Sequence, residues 1–343
     1  MLRFQLKRIS LSAHRSPARA GPSKRGFGSF ISGIDLPKVP VLRPTLWAIA
    51  ATATIYVGCA TYNVYREVRI VKQRGDYKED AINSYDDLDD VRKRGNSSHR
   101  IPSRPQTAAA KWLPTGQLST ILRGYTDAEK LTLCAAALNV SLVGANSLTL
   151  GSVERFFCHV PALSPNYTLL TSAFGHAGLF HVAVNTVVLL QFAPEVARSR
   201  IFRGNGSHFA AFYLSAGILS SLGNHLGTIL PTRTYRINRF APASGASGVI
   251  MALIGAWATM NPDEQIGILF IPGAFSARDM MTATVLFETF GLFIGIPYIS
   301  VAHAAHLSGL AIGSAYAYFN GQKNLWHPTC QSAFLWMKRL KMI

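Results

Sequence analysis

Long stretches of the chain contain no Asp, Glu, Lys or Arg, and they are separated by segments in which charged residues gather. A helix needs about 20 apolar residues to cross the hydrocarbon core of a bilayer, and each uncharged stretch reaches that length. The stretches are 44–65, 131–153, 156–194, 204–232, 240–262 and 289–322. The pattern therefore predicts a membrane protein built from helices.

One early helix is predicted within 44–65, and six more are predicted between 131 and 320. The predicted fold class is an all-α polytopic membrane protein, in which a six-helix core at 131–320 follows one extra transmembrane helix. The last two core helices are predicted at 282–300, despite Glu288, and at 302–320.

The stretch 156–194 is longer than one helix requires. Its first part contains Pro161 and Pro165, and proline disfavours a helix interior. We therefore place the helix at about 178–194 and predict that the first part forms a re-entrant or interfacial loop.

Polar residues of both charge signs fill 66–104, and this part has too few apolar residues to form a core. Residues 66–130 are accordingly predicted to be a solvated linker. Residues 321–343 follow the last predicted helix and are predicted to be a C-terminal tail.

Positive charge collects at the amino terminus. Residues 1–43 carry nine Lys or Arg against one acid, Asp35, and their opening is rich in Arg and Ser. A mitochondrial presequence has this composition, whereas a secretory signal has an apolar core close to its basic residues. We therefore expect a presequence and basic leader at 1–43, with a plain basic tail as the alternative.

Composition narrows the functional class. Apolar residues make up 49% of the 343 and charged residues 15%, which is little charge for a soluble protein of this length. The net charge of +17 would suggest nucleic acid as a partner, but about half of the excess lies in the leader. The expected partner is the lipid bilayer and not nucleic acid. The four cysteines lack metal-ligand spacing, so no metal site is predicted. No cofactor is expected either.

Small residues recur in two of the predicted helices. The segment that begins APASGASG carries Ser244 and Ser247 at its start, and Gly248 falls on one side of the helix that follows. In the last helix small residues recur every four positions, at Ala305, Gly309, Gly313 and Ala317. Such stripes let two backbones approach closely in lipid, although they can also be packing motifs without chemistry.

Polar side chains accompany these stripes. His306 lies three residues before Gly309, and His181 and Asn185 lie four apart on one face of another helix. Ionisable residues are costly in a membrane unless they are paired, which makes them candidates for function. Each could instead be structural, as a His bonded to a carbonyl or as a hydrogen-bonded contact between helices.

These groups fit acyl-transfer chemistry. A serine hydroxyl attacks well only if a base takes its proton, and His suits this task because its pKa lies near working pH. Two hydrogen-bond donors on one face could stabilise an oxyanion. Because no Asp or Glu is evident beside His306, we expect a Ser-His dyad in place of a triad.

Three ordered motifs resemble those of the rhomboid intramembrane serine proteases, namely TSAFGHAGLFHVAVN at 171–185, GASG at 245–248 and AHLSGLAIG at 305–313. The chain looks like the mitochondrial inner-membrane branch, of the fungal type, in which one helix precedes six. The resemblance implies a serine endopeptidase that cleaves single-pass inner-membrane precursors in or near their transmembrane segment. The partners that it implies are a dynamin-like GTPase and the cytochrome c peroxidase precursor.

The resemblance also implies roles for individual residues. Ser247 matches the nucleophile and His306 the general base, while His181 and Asn185 match an oxyanion-stabilising pair, joined by the backbone amide of Ser247. The residues implied to lie beside the site without taking part are Ser244 and His303. The residues implied to give structural support are Gly245, Gly248, Gly309, Gly313, His176 and Glu195. Tyr167 stands where many bacterial members have Trp, which weakens inferences about how this loop sits in lipid.

Other classes stay open at this point. A catalytically inactive rhomboid-like scaffold that binds membrane helices is one, although such proteins typically lack the serine or the histidine. A small-solute transporter is another, but it should show inverted repeats.

Two features of the sequence stay unassigned. Glu288 could be a protonated packing residue, face a water-filled cavity or help to gate substrate entry, and the structural interpretation is favoured. Basic residues before the Ser247 helix favour an orientation in which Ser247 faces the matrix, but basic residues on the opposite side of the core reduce this bias.

Overall fold

The computed structural model describes residues 37–95, 124–232, 238–268, 271–296 and 301–343, and most of these are helical. The helices are α1 Leu42–Gln73, α2 Tyr85–Gly95, α3 Asp127–Leu148, α4 Thr168–Thr171, α5 Leu179–Arg198, α6 Gly206–Gly227, α7 Ser247–Met260, α8 Ala277–Phe293, α9 His303–Tyr318 and α10 His327–Arg339. Short turns of 3-10 and π-helix lie at Glu154–Phe156 and Gln322–Trp326. Seven of these helices, α1, α3 and α5 to α9, fall on the seven predicted ones, which confirms the all-α polytopic fold.

Three of the described helices, α1, α3 and α5, are long and apolar enough to cross a membrane by length and composition. Helix α7 is apolar too, but it has only 14 residues. One compact unit runs from Val39 to Ile343, and the other, Met1–Lys38, lies almost wholly outside the described residues. Most of the predicted presequence at 1–43 therefore lies outside them as well.

Helix starts differ from the predictions because capping residues and charges set them. Helix α3 begins at Asp127, four residues before the predicted 131, since Thr126 and Glu129 form a capping box. Helix α8 begins at Ala277 and not at 282, since the Ser276 hydroxyl accepts the backbone N–H of Asp279 at 3.1 Å. Acids in the first turn favour a helix, so the absence of charge was a poor marker of where these helices begin.

The predicted linker and tail need correction. The early helix does not end at 65 but continues to Gln73, and α2 lies within the predicted linker 66–130. The predicted tail 321–343 contains α10. The part of the linker at 96–123 lies outside the described residues.

Helices α1, α2 and α10 pack together around a small apolar cluster. Val64, Val68, Leu88 and Phe334 are almost fully buried in it. The Lys338 ammonium donates to the carbonyl of Ile82 at 2.7 Å, which ties α10 to the segment before α2. A few well-placed apolar side chains are therefore enough to dock a segment whose overall composition is polar.

A two-stranded antiparallel sheet joins α7 to α8 and was not predicted. Strand β1, Gln265–Ile268, pairs with β2, Ile271–Ser276, so that Gln265 lies opposite Ser276. The hairpin follows the end of α7 that is remote from Ser247.

Helix α7 lies at the centre of the main core and contacts α5, α6, α8 and α9. Its middle, including Val249, Leu253 and Trp257, is buried. The predicted loop ahead of α5 is present and pairs with the approach to α7, since the backbones of His159 and Ala243 exchange hydrogen bonds of 2.8 and 2.9 Å. This pairing ties the segment before Ser247 to the loop.

Candidate active site

The chain turns sharply at Gly245 and then starts α7 at Ser247. Gly245 has a φ of +138°, in the region that favours glycine. A Cβ at this position would also lie 2.9 Å from Cε1 of His181. Glycine is therefore required here for the turn and for the space that the His181 ring occupies.

Helices α7 and α9 touch backbone to backbone. A methyl group added at Gly309 would overlap the carbonyl of Gly248, and one added at Gly313 would overlap the carbonyl of Ala252. Gly248 also faces α6, where a methyl group would overlap the hydroxyl of Ser220. Small residues thus bring these helices into the close contact that governs association in lipid.

This contact places Ser247 and His306 together. The Ser247 hydroxyl lies 2.8 Å from Nε2 of His306, although 59 positions separate the two residues in the sequence. His306 is buried, while Ser247 is partly exposed. A hydroxyl that donates to an imidazole at this distance is arranged for proton transfer to the ring.

Glu288 lies beside His306, and the expectation of a dyad with no acid next to the base is wrong for this structure. The Nδ1 atom of His306 lies 2.7 Å from Oε1 of Glu288, and Nδ1 of His303 lies 2.6 Å from Oε2. Glu288 is only 3% exposed. The groups therefore form a chain from Glu288 through His306 to Ser247.

The neighbours of His306 along its own helix gave no sign of this carboxylate, because Glu288 belongs to the preceding helix. A signal was nevertheless present in the sequence. Glu288 is an acid within a long apolar segment, and such a residue needs a partner inside the membrane. The imidazoles of His303 and His306 follow in the next helix and were its natural candidates.

The side chains of His181 and Asn185 lie next to Gly245. The position of a Cβ on Gly245 would be 3.0 Å from Nε2 of His181 and 3.5 Å from Nδ2 of Asn185. The Asn185 side chain is buried, and among the described residues its Nδ2 atom has no hydrogen-bond partner. A buried donor without a partner is costly, so this amide is suited to an acceptor that arrives with a ligand.

A cavity of about 700 Å³ brings these groups to a common space. Its lining includes Ser247, His306, His181 and Asn185, together with Ser244. The start of α7 adds backbone N–H groups, since the first amides of a helix lack acceptors within the helix. A hydroxyl, an imidazole and hydrogen-bond donors therefore face one cavity.

A family profile described as "Rhomboid domain" matches residues 165–323, the part of the chain that contains all of these groups. Residues 165–323 are a rhomboid domain. The family assigned from the three sequence motifs is thereby confirmed, while the fungal-type detail stays a prediction.

Two relatives illustrate the similarity. One is "Presenilin-associated rhomboid-like protein, mitochondrial" of Homo sapiens, 32% identical over 194 residues, which are 55% of this chain and 44% of that protein. The other is "Rhomboid protein 1, mitochondrial" of Saccharomyces cerevisiae, 24% identical over 199 residues, which are 57% of this chain and 54% of that protein. The chain spans about half the length of these relatives. Together with the apolar helices, they indicate a mitochondrial membrane protein.

Within the rhomboid domain, His176 supports the segment ahead of Ser247. Its Nε2 accepts the backbone N–H of Ala246 at 3.4 Å, and its Nδ1 donates to the carbonyl of Phe174 at 3.2 Å. Its ring also meets that of His181 edge-on, with centroids 5.1 Å apart. These contacts fit the structural role implied for this histidine.

Glu195 lies away from the site, at an exposed position near the far end of α5. Its implied role as a brace between helices stays a prediction. A contact between helices near this end is made by Arg198, whose Nε donates to Oε1 of Glu129 at 2.8 Å. Glu129 is 1% exposed and joins α3 to α5 in this way.

No metal site is evident in the part of the chain that the structure describes, where no three His, Cys, Asp or Glu side chains are grouped to hold an ion. The expectation that the protein needs no metal or cofactor stays a prediction.

Proposed function

We propose that the protein is an intramembrane serine endopeptidase of the mitochondrial inner membrane. The observation that carries this proposal is the 2.8 Å contact between the Ser247 hydroxyl and Nε2 of His306 at a cavity that Asn185 also lines. In the proposed substrate, a single-pass membrane protein, the bond that is cut lies in or near the transmembrane segment.

The proposed reaction begins with attack of Ser247 on a peptide carbonyl. As the Oγ–C bond forms, the hydroxyl proton passes to Nε2 of His306. The imidazolium then gives this proton to the leaving amine, and the peptide bond breaks to leave an acyl-enzyme. Water, which loses a proton to the same Nε2, attacks the ester and releases the second product with regeneration of Ser247.

Negative charge on the carbonyl oxygen needs donors that are in place before the reaction. Asn185 Nδ2, His181 Nε2 and the backbone N–H at the start of α7 are the proposed set. Each such donor contributes about 3 kcal/mol of transition-state stabilisation in a water-poor site. Within the described parts of the chain Nδ2 of Asn185 has no hydrogen-bond partner, which supports its place in this set.

The nature of the substrate follows from the physics of membrane helices. The amides of a transmembrane helix are bonded internally, so a scissile carbonyl is reached only where the helix unwinds. Helix-breaking or small residues near the cut are therefore expected. A dynamin-like GTPase and the cytochrome c peroxidase precursor are the proposed partners, and the Ser247 end of α7 is proposed to face the matrix.

Reconstituted protein and a fluorescently tagged single-pass substrate test the proposal. We expect Ser247→Ala and His306→Ala to abolish cleavage, and Ser244→Ala, which removes a neighbouring hydroxyl of the same cavity, to retain it. A fluorophosphonate should label the wild type and the Ser244→Ala variant but not Ser247→Ala. Full activity in Ser247→Ala would remove the proposal, whereas a wild type that neither cleaves nor labels would indicate the helix-binding scaffold.

A further inference from the structure

Helix α8 has few fully buried side chains. Only Ala277, Glu288 and Gly291 are buried along its 17 residues. Most of its large apolar residues are exposed, as expected for a surface that faces lipid; they are Val285, Leu286, Phe287, Phe290 and Phe293. The carboxylate of Glu288 is therefore the main polar contact of this helix with α9.

Each oxygen of that carboxylate meets one imidazole. Oε1 lies 2.7 Å from Nδ1 of His306, and Oε2 lies 2.6 Å from Nδ1 of His303. A carboxylate only accepts hydrogen bonds, so both Nδ1 atoms carry the protons. This assignment leaves Nε2 of His306 with a free lone pair, which faces the Ser247 hydroxyl at 2.8 Å.

We propose that Glu288 is a positioning residue of the active site, which fixes the tautomer and orientation of His306 through one oxygen while His303 holds the other. The inference rests on the proposed function. The proton that leaves Ser247 goes to Nε2 of His306, the Nδ1 proton stays on the ring, and Glu288 remains a carboxylate throughout. Its negative charge then lies against the imidazolium that forms during attack.

The surroundings of His303 are shaped for this second contact. A Cβ on Gly291, one helical turn after Glu288, would come within 2.6 Å of Nδ1 of His303 and closer still to other ring atoms. The Phe287 ring meets His303 edge-on, with centroids 6.0 Å apart. The ring of His303 is thus confined, which keeps the plane of the carboxylate directed at His306.

A purely structural role for Glu288 is the alternative, because removing one partner of a buried ionic contact also destabilises a protein. The two roles differ in what they change. Loss of packing lowers stability and the fraction of folded enzyme, and the remaining folded molecules keep their turnover. Loss of base orientation lowers kcat in folded molecules and leaves substrate binding, and hence KM, nearly unchanged.

The decisive comparison uses Glu288→Gln, Glu288→Asp and the control Glu129→Gln. Glutamine keeps the size of the side chain but presents an amide N–H to one of the two Nδ1 protons. Glu129 is an equally buried carboxylate that pairs with Arg198 far from the cavity. The kcat and KM for the single-pass substrate, the thermal midpoint and the rate of Ser247 labelling are measured in vesicles, with kcat referred to the folded fraction.

We expect Glu288→Gln to lower kcat and the labelling rate by about 10²- to 10⁴-fold, with KM within about threefold of the wild type. Glu288→Asp, which keeps the charge but has a shorter reach, should recover about tenfold of the kcat lost in Glu288→Gln and stay below the wild-type kcat. Glu129→Gln should lower the thermal midpoint and leave kcat unchanged.

A Glu288→Gln enzyme whose kcat stays within about threefold of the wild type would overturn the inference while the proposed protease activity stands. If Glu288→Gln does not fold, Glu288→Asp decides, since a wild-type kcat in a protein with a shorter reach would also overturn it. A wild type that neither cleaves nor labels would remove the proposed function, and this inference with it.

Discussion

The contacts of helix α9 with α7 and with α8 are opposite in character. Against α7 it packs backbone to backbone, through Gly309 and Gly313, with no room for a methyl group. Against α8 it is held by Glu288, while much of the apolar surface of α8 is exposed. The first contact brings Ser247 and His306 together, and in the role proposed for Glu288 the second contact sets the direction in which the His306 ring points.

Lipid explains why both kinds of contact are needed. Apolar side chains gain little when they exchange lipid tails for one another, so tight packing and hydrogen bonds decide which helices associate. Packing of glycine against a carbonyl is rigid, but it does not determine which nitrogen of a histidine ring carries the proton. We propose that the buried carboxylate of Glu288 determines this tautomer, while most side chains of α8 are not buried.

The largest effect is expected from breaking the rigid contact. A side chain at Gly309 would overlap the backbone of Gly248, next to Ser247, and backbone atoms cannot rotate away. Gly309→Leu should therefore separate the two helices and lower kcat/KM by more than about 10³-fold, because a shift of 1 Å already costs about 10²-fold. Proteolysis assays in vesicles measure this.

Gly144→Leu is the matched control, since a Cβ at Gly144 on α3 would meet open space. It should keep wild-type activity. An active Gly309→Leu enzyme would mean that the α7–α9 contact does not set the distance between Ser247 and His306.

A smaller effect is expected when the distance is left intact and one oxyanion donor is removed. Asn185→Ala should lower kcat by about 10²-fold with little change in KM, because the amide would act only in the transition state. Asn139→Ala is the control, as Asn139 is buried on α3 and its Oδ1 also has no partner among the described residues. Equal loss in both variants would assign the effect to burial and not to catalysis.

Disturbing the second contact without removing its charge should cost less again. Gly291→Ala places a methyl group against the His303 ring, which must move and release Oε2 of Glu288. We expect kcat to fall by about tenfold, the equivalent of about 1.4 kcal/mol for one charge-assisted hydrogen bond. Gly58→Ala, where a Cβ on α1 has no neighbour within 4 Å, serves as the control. A kcat equal to that of Gly58→Ala would show that His303 does not help to orient the carboxylate.

The sequence allowed the two partners of the rigid contact to be predicted, because both leave a pattern within one segment. Ser247 lies in a run of small residues, and His306 lies beside a four-residue repeat of them. The bend at Gly245 and the pair His181 and Asn185 are also local. Their chemistry follows from the cost of polar groups in lipid.

The contact between Glu288 and His306 was missed because it depends on how α8 is rotated about its own axis. Which side of α8 faces α9 is decided by packing, and the hydrophobic pattern of α8 gives no preferred face. The docking of α2 was missed for a related reason. In residues 74–95, the described part of the predicted linker after α1, the buried apolar side chains are Ile82, Tyr85 and Leu88, and composition averages over them.

The smallest predicted effect concerns α2, which represents a third kind of contact, in solvent. Hydrogen bonds from the backbone N–H of Asn83 and from Ser84 lower the pKa of Asp87 below its ordinary value of 3.8. Since the folded pKa is the lower one, the stabilisation is present above pH 3.8 and is lost as pH falls through the folded value. Below pH 3.8, amide exchange in Tyr85–Gly95 should therefore rise modestly relative to amide exchange in α7 and α9 at the same pH. Asp87→Asn should show the faster relative exchange already at neutral pH. If the exchange of α2 relative to α7 and α9 is the same in acid as at neutral pH, Asp87 does not anchor the start of this helix.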